Sequence, residues 1–304
     1  ALSLISARIQ GLKMAARKGD SPVAMALSDD RKNGAIGIAS GDEVLGVGFW
    51  AQGAYTWLDD NNAATKWDGN VFSFLVGADY RIDPSFIIGL SGGFEKTNLR
   101  TEFNKGNLDA DGVLVAPYAT LILDKYFSID ATGGYQWLNY EVDRKISAGA
   151  KNKVTGSFDS ERWFSAVTAN ADYTLDKTIL LHGNAGFSYT GESQDAYTQS
   201  NAVKVLANDL DLGQALVGAR VAYDLDGVVP FISVLGEFDL TKEDTVKVAA
   251  SQTKVSDDDF GLRVGAGATF NLGPGFSGRI EGQSVLLREN FTEHKALLKF
   301  RGEF

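Results

Sequence analysis

The last eleven residues, 294–304, read HKALLKFRGEF and alternate between two kinds of side chain. Counted back in steps of two, one set is mostly apolar: Phe304, Gly302, Phe300, Leu298 and Ala296. The interleaved set is mostly charged: Glu303, Arg301, Lys299, Leu297 and Lys295. A period of two is the side-chain period of a β-strand. The sequence therefore predicts a final strand with one apolar face, one charged face and an aromatic residue at its end.

The same period runs back along the chain to residue 45. In NVFSFLVGADYRID (70–83) one face is apolar: Phe72, Phe74, Val76, Ala78 and Tyr80. In DFGLRVGAGATFNL (259–272) the face opposite the apolar one carries Gly261, Arg263, Gly265, Gly267, Thr269 and Asn271. About twelve such segments follow one another, each near the length that crosses a bilayer at a tilt.

The connections between these segments alternate in length. Short turns with typical turn residues are RIDPSF (81–86), LDKY (123–126), LDKT (175–178), LDGV (225–228) and LGPG (272–275). Long polar connections lie between them at 58–70, 99–110, 143–161, 192–209 and 242–259. Outer-membrane barrels have short turns on the periplasmic side and long loops outside. The pattern predicts an all-β fold: a 12-stranded antiparallel transmembrane β-barrel.

In such a barrel, apolar side chains face the lipid and polar side chains face the lumen. The alternation then predicts nine charged side chains in the lumen: Asp79, Glu95, Asp111, Arg220, Glu237, Asp239, Arg263, Arg279 and Glu281. Six aromatic residues near predicted strand ends fit the aromatic girdles at the two membrane interfaces: Tyr55, Trp57, Tyr80, Tyr126, Tyr173 and Tyr223.

The composition excludes several other classes. The 304 residues contain no cysteine, which excludes a disulfide framework, a Cys-based zinc site and a Cys nucleophile. The formal net charge of −10 argues against nucleic acid as a partner, because phosphate binding needs clustered Lys and Arg. No stretch approaches the roughly 20 apolar residues of a membrane-spanning helix.

The N-terminal residues follow a different period. In ALSLISARIQGLKMAARKGD (1–20), an apolar stripe recurs at spacings of three and four: Leu2, Ile5, Ile9, Leu12 and Ala16. The cations of this segment are Arg8, Lys13, Arg17 and Lys18. Gly19 and Pro22 end the predicted helix. A polar, Gly-rich linker follows, so we divide the chain into a helix and linker (1–34) and the barrel (35–304).

Candidate catalytic residues are few. The chain has two histidines, and we interpret both His182 and His294 as structural or interfacial. His182 follows the short turn LDKT, at the predicted periplasmic end, and His294 falls on the apolar face of the last strand. G-x-S-x-G, H-E-x-x-H and P-loop motifs are absent. We therefore expect no enzymatic activity, no metal site and no cofactor.

Three stretches resemble the translocator domains of bacterial autotransporters: GVGFWAQGAY (46–55), FSFLVGADYRIDPSFIIGLSGGF (72–94) and LLKFRGEF (297–304). The resemblance implies a passenger domain before Ala1 and a helix inside the barrel that links the passenger to the first strand. It also implies that the barrel assembly machinery reads the last strand, with Phe304 and Phe300 as the signal. Gly302 departs from the larger apolar residue usual in the family at that position.

Some members of that family cut their passenger free at an Asn-Asn pair in the helix. This helix has no such pair, since Asn61-Asn62 lies in the first surface loop, so we do not carry self-cleavage over. The expected function is that of a monomeric translocator in the bacterial outer membrane, surrounded by its lipid. Two alternatives stay open at this point: a small porin-like channel whose helix is incidental, and a hydrolase with its site at the outer rim.

Overall fold

The computed structural model describes the larger part of the chain: residues 46–61, 66–102, 105–145, 153–175, 178–242, 245–248, 251–254 and 259–304. The predicted helix and linker, and with them the cations at positions 8, 13, 17 and 18, lie outside the described residues. The described residues form β-strands joined by turns, and none of them belongs to a helix long and apolar enough to cross a membrane.

Sixteen strands follow one another in the described part of the chain. Their bounds are β1 Val47–Asp60, β2 Trp67–Asp83, β3 Phe86–Thr101, β4 Gly106–Ile122, β5 Phe127–Lys145, β6 Lys153–Leu175, β7 Ile179–Gln194, β8 Tyr197–Thr198, β9 Lys204–Val205, β10 Asn208–Tyr223, β11 Val228–Lys242, β12 Thr245–Val248, β13 Ser251–Lys254, β14 Phe260–Gly273, β15 Phe276–Leu286 and β16 Phe291–Glu303.

Twelve of these strands close into one barrel in the order β1-β16-β15-β14-β11-β10-β7-β6-β5-β4-β3-β2, every neighbouring pair antiparallel. The predicted 12-stranded antiparallel barrel is confirmed. The four remaining strands form two small hairpins, β8–β9 and β12–β13, within the connections after β7 and β11. At the closing seam, β1 pairs with β16 without interruption from Gly48–Glu303 to Asp60–Phe291. Closure leaves no open sheet edge.

The two ends of the barrel differ as predicted, but the strands are longer than predicted. The short turns lie at the end where β1 begins and β16 ends, hereafter the short-turn end. At the opposite, long-loop end, the polar segment 99–110 is mostly strand, and β3 and β4 pair up to Thr101 and Gly106. The β5–β6 pairing likewise reaches Lys145 and Lys153. The side chains at this end are polar because they are in contact with water, but the backbone groups still form the hydrogen bonds of paired strands.

An apolar band runs around the outer face. On β1 the band extends from Phe49 to Trp57, and on β4 it extends from Val113 to Leu121. Each stretch is nine residues long, and the large apolar side chains at its two ends are exposed. Nine residues rise about 27 Å along a strand, or about 20 Å across a bilayer at a tilt of about 40°, close to the apolar height of outer-membrane barrels. The six predicted girdle aromatics all face outward and are exposed.

The interior is less polar than the alternation predicts. An apolar cluster lines part of the inner wall, with members on β1 to β4, β6 and β16: Trp50, Ala54, Leu75, Ile87, Leu114, Ala116, Tyr118, Phe164 and Leu297. The larger rings lie over glycines of neighbouring strands, where a side chain would clash. A Cβ added at Gly77 would lie 2.6 Å from the Trp50 ring, and a Cβ added at Gly134 would lie 2.2 Å from the Phe164 ring. Part of the lumen is therefore a packed core.

Tyr118 shows how tightly this core is packed. Its hydroxyl accepts a hydrogen bond from Trp50 Nε1 at 2.8 Å and donates to Asp79 Oδ2 at 3.1 Å. The ring passes over Gly89, where an added Cβ would come within 2.1 Å of Tyr118 Cζ. Glycine at position 89 is thus required by the close approach of the tyrosine ring.

We predict that Gly89→Ala lowers the free energy of unfolding by about 1–3 kcal/mol, the usual cost of overpacking a core. The new methyl group would have to displace Tyr118 and strain its hydrogen bonds to Trp50 and Asp79. Urea-induced unfolding in lipid vesicles, followed by tryptophan fluorescence, measures the change. Gly282→Ala is the matched control, because a Cβ there meets no atom within 4 Å. Equal losses in both variants would contradict the close-approach argument.

Candidate functional site

The interior wall nearer the long-loop end carries two groups of charged side chains. In the first, Arg162 of β6 lies between two glutamates. Its Nη1 is 3.1 Å from Glu95 Oε1 of β3, and its Nη2 is 2.7 Å from Glu192 Oε2 of β7. Tyr140 donates to Glu192 Oε1 at 2.9 Å, and Gln136 donates to Glu95 Oε1 at 3.4 Å. Two carboxylates therefore share one guanidinium and leave a local negative surplus.

The second group spans β11, β14 and β16. Arg263 Nε donates to Glu237 Oε1 at 2.7 Å, and its Nη1 bonds to Glu293. Lys295 Nζ lies 3.2 Å from Glu293 Oε1. Near the loop between β15 and β16, Arg288 makes two bonds to Asp239, with Nη1 2.7 Å from Oδ2 and Nη2 2.9 Å from Oδ1. Charges in this group are balanced and mutually hydrogen-bonded, as buried charges need to be.

Eight of the nine residues that alternation assigned to the lumen lie on the inner wall. Their side chains are mostly shielded from solvent and belong to the groups above or to the wall nearer the short-turn end: Asp79, Glu95, Arg220, Glu237, Asp239, Arg263, Arg279 and Glu281. Near the short turns, Arg279 bonds to Glu281, and Arg301 Nη2 lies 3.5 Å from Asp79 Oδ1.

Asp111 is the exception, and the structure corrects its assignment. Its side chain is 71 % exposed on the outer face, 3.6 Å from Lys96 Nζ, on the same face of β4 as the exposed Val113 and Val115. The apolar band ends at Val113, so the next outward position already meets water and accommodates a carboxylate. A polar side chain identifies the inner face only where a strand lies within the membrane.

Several interior charges were missed from the sequence. Glu192 lies in a segment that composition assigned to a loop, whereas β7 continues to Gln194. Arg162 lies on the same face of β6 as the buried Phe164 and Ala166, so the sequence does not identify that face as polar. The sequence places Lys299 and Arg301 on the charged face of the terminal strand, and in the structure this face points into the barrel.

The two histidines lie on opposite sides of the barrel wall. His182 Nδ1 lies 2.7 Å from Asp172 Oδ1 on the inner wall near the short-turn end. His294 is on the outer face, with its Nδ1 2.8 Å from Ser284 Oγ. Because the sheet separates them, the two imidazoles cannot act on one substrate, and each is accounted for by a local partner.

The described part of the interior contains a cavity of about 280 Å³. Both charge signs line it, including Asp130, Arg220, Glu237, Arg263, Glu281 and Lys295. A wall with alternating charges and amides suits hydrated, polar cargo or a polar segment of polypeptide better than an apolar ligand, for which pockets are mainly apolar.

Comparisons with known proteins agree with this geometry. Residues 49–283 match the family model described as the autotransporter β-domain. The barrel is similar to the translocator domain of the autotransporter NalP from Neisseria meningitidis, with a TM-score of 0.73 and 15 % identity over 99 % of this chain and 97 % of that one. In sequence it is similar to the uncharacterised protein YaiT of Escherichia coli K12, 23 % identical over 228 residues.

A further relative is outer membrane protein B of Rickettsia prowazekii, 24 % identical over 203 residues, or 61 % of this chain. The YaiT match covers 72 % of this chain. The chain spans 23 % of YaiT and 12 % of the rickettsial protein. The family match extends from β1 to β15 and coincides with a closed barrel of twelve strands. The chain therefore belongs to the autotransporter β-domain family and is a translocator barrel of the bacterial outer membrane.

Proposed function

We propose that this barrel carries a passenger domain, attached before Ala1, to the cell surface and anchors it there, with residues 1–34 inside the lumen. The observation that carries the proposal is the position of β1. This strand starts at the short-turn end, which is the periplasmic end in barrels whose long loops lie outside. A passenger outside the cell can be joined to that start only by a segment that passes through the lumen.

The length of the preceding chain is compatible with this path. The carbonyl of Gly46 accepts a hydrogen bond from the Arg81 amide at 3.1 Å, which fixes the start of the barrel beside the β2–β3 turn. A helix of about 20 residues is about 30 Å long, enough to cross an apolar band of about 25 Å. The predicted helix and its linker supply that length.

The charges are also complementary. Arg8, Lys13, Arg17 and Lys18 are the cations of the N-terminal segment. On the inner wall, Glu95 and Glu192 share Arg162 and retain a negative surplus. A cation opposite these glutamates would be held in a site from which most water is excluded, where a charge pair is less screened than at the surface.

Two further partners and an oligomeric state belong to the proposal. The apolar band contacts outer-membrane lipid, the barrel assembly machinery reads β16 with Phe300 and Phe304, and the barrel acts as a monomer. Phe300 and Phe304 both face outward and are exposed, on the face of the wall that such a partner would meet. No nucleic acid is expected among the partners, given the acidic balance of the chain.

A reporter protein fused before Ala1 tests the transport function. We expect protease added to intact cells to remove the reporter, because it would lie outside the membrane and away from the folded barrel. Immunoblotting with antibodies against the reporter and the barrel measures the loss. A periplasmic protein in the same cells serves as the control and stays intact. A reporter that is protected in intact cells and cleaved after permeabilisation would contradict export.

A further inference from the structure

The terminal strand is joined to β2 by a contact that crosses the closing seam. Arg301 of β16 and Asp79 of β2 lie on either side of β1, and Arg301 Nη2 is 3.5 Å from Asp79 Oδ1. Their side chains are 10 % and 3 % exposed. The two residues are 222 positions apart in the chain. Because β1 separates their strands, this ion pair requires that β1 and β16 are already paired.

The ion pair passes over Gly48 on the inner face of β1. Gly48 is the cross-strand partner of Asp79 on one side and of Glu303 on the other. A Cβ added at Gly48 would lie 2.6 Å from Asp79 Oδ1 and 2.9 Å from Arg301 Nη2. Glycine at this position therefore lets the two charges meet in front of the strand that separates them.

Asp79 is reached across a glycine from its other side as well. Tyr118 of β4 extends over Gly89 of β3, and its hydroxyl donates to Asp79 Oδ2 at 3.1 Å. Both carboxylate oxygens of Asp79 thus have a partner on a strand that is not a neighbour of β2. We call Arg301, Asp79 and Tyr118 the closure latch. The closure latch connects five consecutive strands on the inner wall, from β16 through β1, β2 and β3 to β4.

The closure latch lies at one end of the seam, where opening would begin. Gly48–Glu303 is the last pair of the β1–β16 ladder at the short-turn end, and beyond it the Phe304 amide donates to the Val47 carbonyl. The ends of paired segments fray at a low cost in free energy. An ion pair shielded from water is less screened than one at the surface, and its separation leaves both charges poorly solvated. Opening of this end therefore has to break the latch as well as the ladder.

We propose that the closure latch is a conformational device that holds the β1–β16 seam shut at the short-turn end. The hydrogen bonds of the ladder join neighbouring strands, whereas the latch ties β16 to strands two and four positions away in the barrel. Its ion pair forms only when the last strand has paired with the first, so it acts on the completed barrel. The inference concerns the wall alone and does not depend on what the lumen holds.

Hydrogen exchange of the full-length barrel in lipid vesicles, resolved by mass spectrometry, tests the proposal. Asp79→Asn keeps the size of the side chain and an oxygen acceptor for Tyr118 but removes the charge. We expect amide exchange at the short-turn ends of β1 and β16 to rise several-fold, with exchange in β6 and β7 unchanged. Glu192→Gln is the matched control, because it removes a similarly buried carboxylate from Arg162 within the β6–β7 pair. This control should raise exchange in β6 and β7 and not at the seam.

A steric variant separates the two charges without removing either. Gly48→Ala places a methyl group between the mobile ends of the Asp79 and Arg301 side chains, so the barrel can fold around it. Gly53→Ala is the matched control on the same strand, since its Cβ would lie 4.0 Å from Phe74 Cδ2. We expect Gly48→Ala to raise exchange at the seam and Gly53→Ala to leave it unchanged. A uniform rise along the barrel, or an unchanged seam in the latch variants, would overturn the proposal.

A disulfide across the seam distinguishes a latch from a general contribution to folding. Ala51 and Phe300 are cross-strand partners of β1 and β16, so their Cα atoms lie within the roughly 7 Å that a disulfide spans. With both replaced by cysteine, the chain is refolded from the purified, unfolded state, and heat-modifiable migration reports folding. In the Asp79→Asn background, we expect oxidation to restore protection at the seam and reduction to abolish it. If the oxidised chain stays unprotected or does not refold, Asp79 supports the fold as a whole and the latch is refuted.

A double variant tests the direct contact between the two charges. Arg301→Gln removes the other partner, although it also loses the bond to Glu303. If the ion pair closes the seam, Asp79→Asn adds little to the exchange rate in the Arg301→Gln background, because one interaction can be lost only once. If the two effects instead multiply, the charges act separately, and this result would overturn the latch.

Discussion

Deletion of residues 1–34 is expected to raise the single-channel conductance of the barrel several-fold in planar lipid bilayers. The full chain should conduct weakly, because a helix with side chains is about 10 Å across and would fill most of the lumen of a barrel of this size. Without that segment, the polar wall with the Arg162 and Arg263 groups would border an open aqueous path. The prediction tests the lumenal location of residues 1–34 directly.

Two controls give the conductance result its meaning. Heat-modifiable migration on gels shows whether the shortened chain still folds as a barrel. A chain in which residues 1–34 are replaced by a Gly/Ser segment of equal length distinguishes a specific plug from any tethered polymer, and we expect it to conduct almost as well as the deletion. An unchanged trace after deletion would refute the plug. A full chain that is already wide open would instead favour the porin-like channel.

The alternation of side chains predicts most of the barrel because it is a property of single strands. Arg263 faces inward as its place in DFGLRVGAGATFNL requires, and the terminal strand has the two faces read from HKALLKFRGEF. The prediction fails at Asp111, because the height of a residue relative to the membrane depends on where the apolar band ends. The position of the apolar band depends on all strands of the barrel, so it cannot be predicted from the alternation within one strand.

The partners of the interior charges could not be read from the sequence either. Arg162 meets Glu95 and Glu192 from two strands that are far apart along the chain, and the contact depends on the stagger between strands around the barrel. The apolar cluster around Tyr118 has the same origin, since its ring reaches Gly89 only in one register of β3 against β4. The alternation within one strand shows on which face a side chain lies, whereas its contacts with other strands are set only when the barrel closes.

Deletion of Phe304 is expected to remove most of the protein from the outer membrane of cells while leaving the purified barrel able to fold. The ring is 64 % exposed and contacts two outward-facing rings, with centroids 6.2 Å from Phe49 and 5.8 Å from Phe276. Its amide donates to the Val47 carbonyl at 3.0 Å. Loss of one such hydrogen bond and two ring contacts costs about 1.5–4.5 kcal/mol. The β1–β16 ladder remains paired from Gly48–Glu303 to Asp60–Phe291, so we expect the closed barrel still to form.

The expected loss in cells therefore has to arise from recognition, and Phe276→Leu separates the two causes. That variant removes the shorter of the two ring contacts with Phe304 but leaves the terminal residue in place. Membrane fractionation with immunoblotting measures the level in cells, and refolding into detergent measures the intrinsic ability to fold. We expect Phe276→Leu to accumulate normally and the Phe304 deletion to refold but not accumulate. Equal losses in cells would assign the role of Phe304 to packing at the β1–β16 seam, and failure of the deletion variant to refold would do the same.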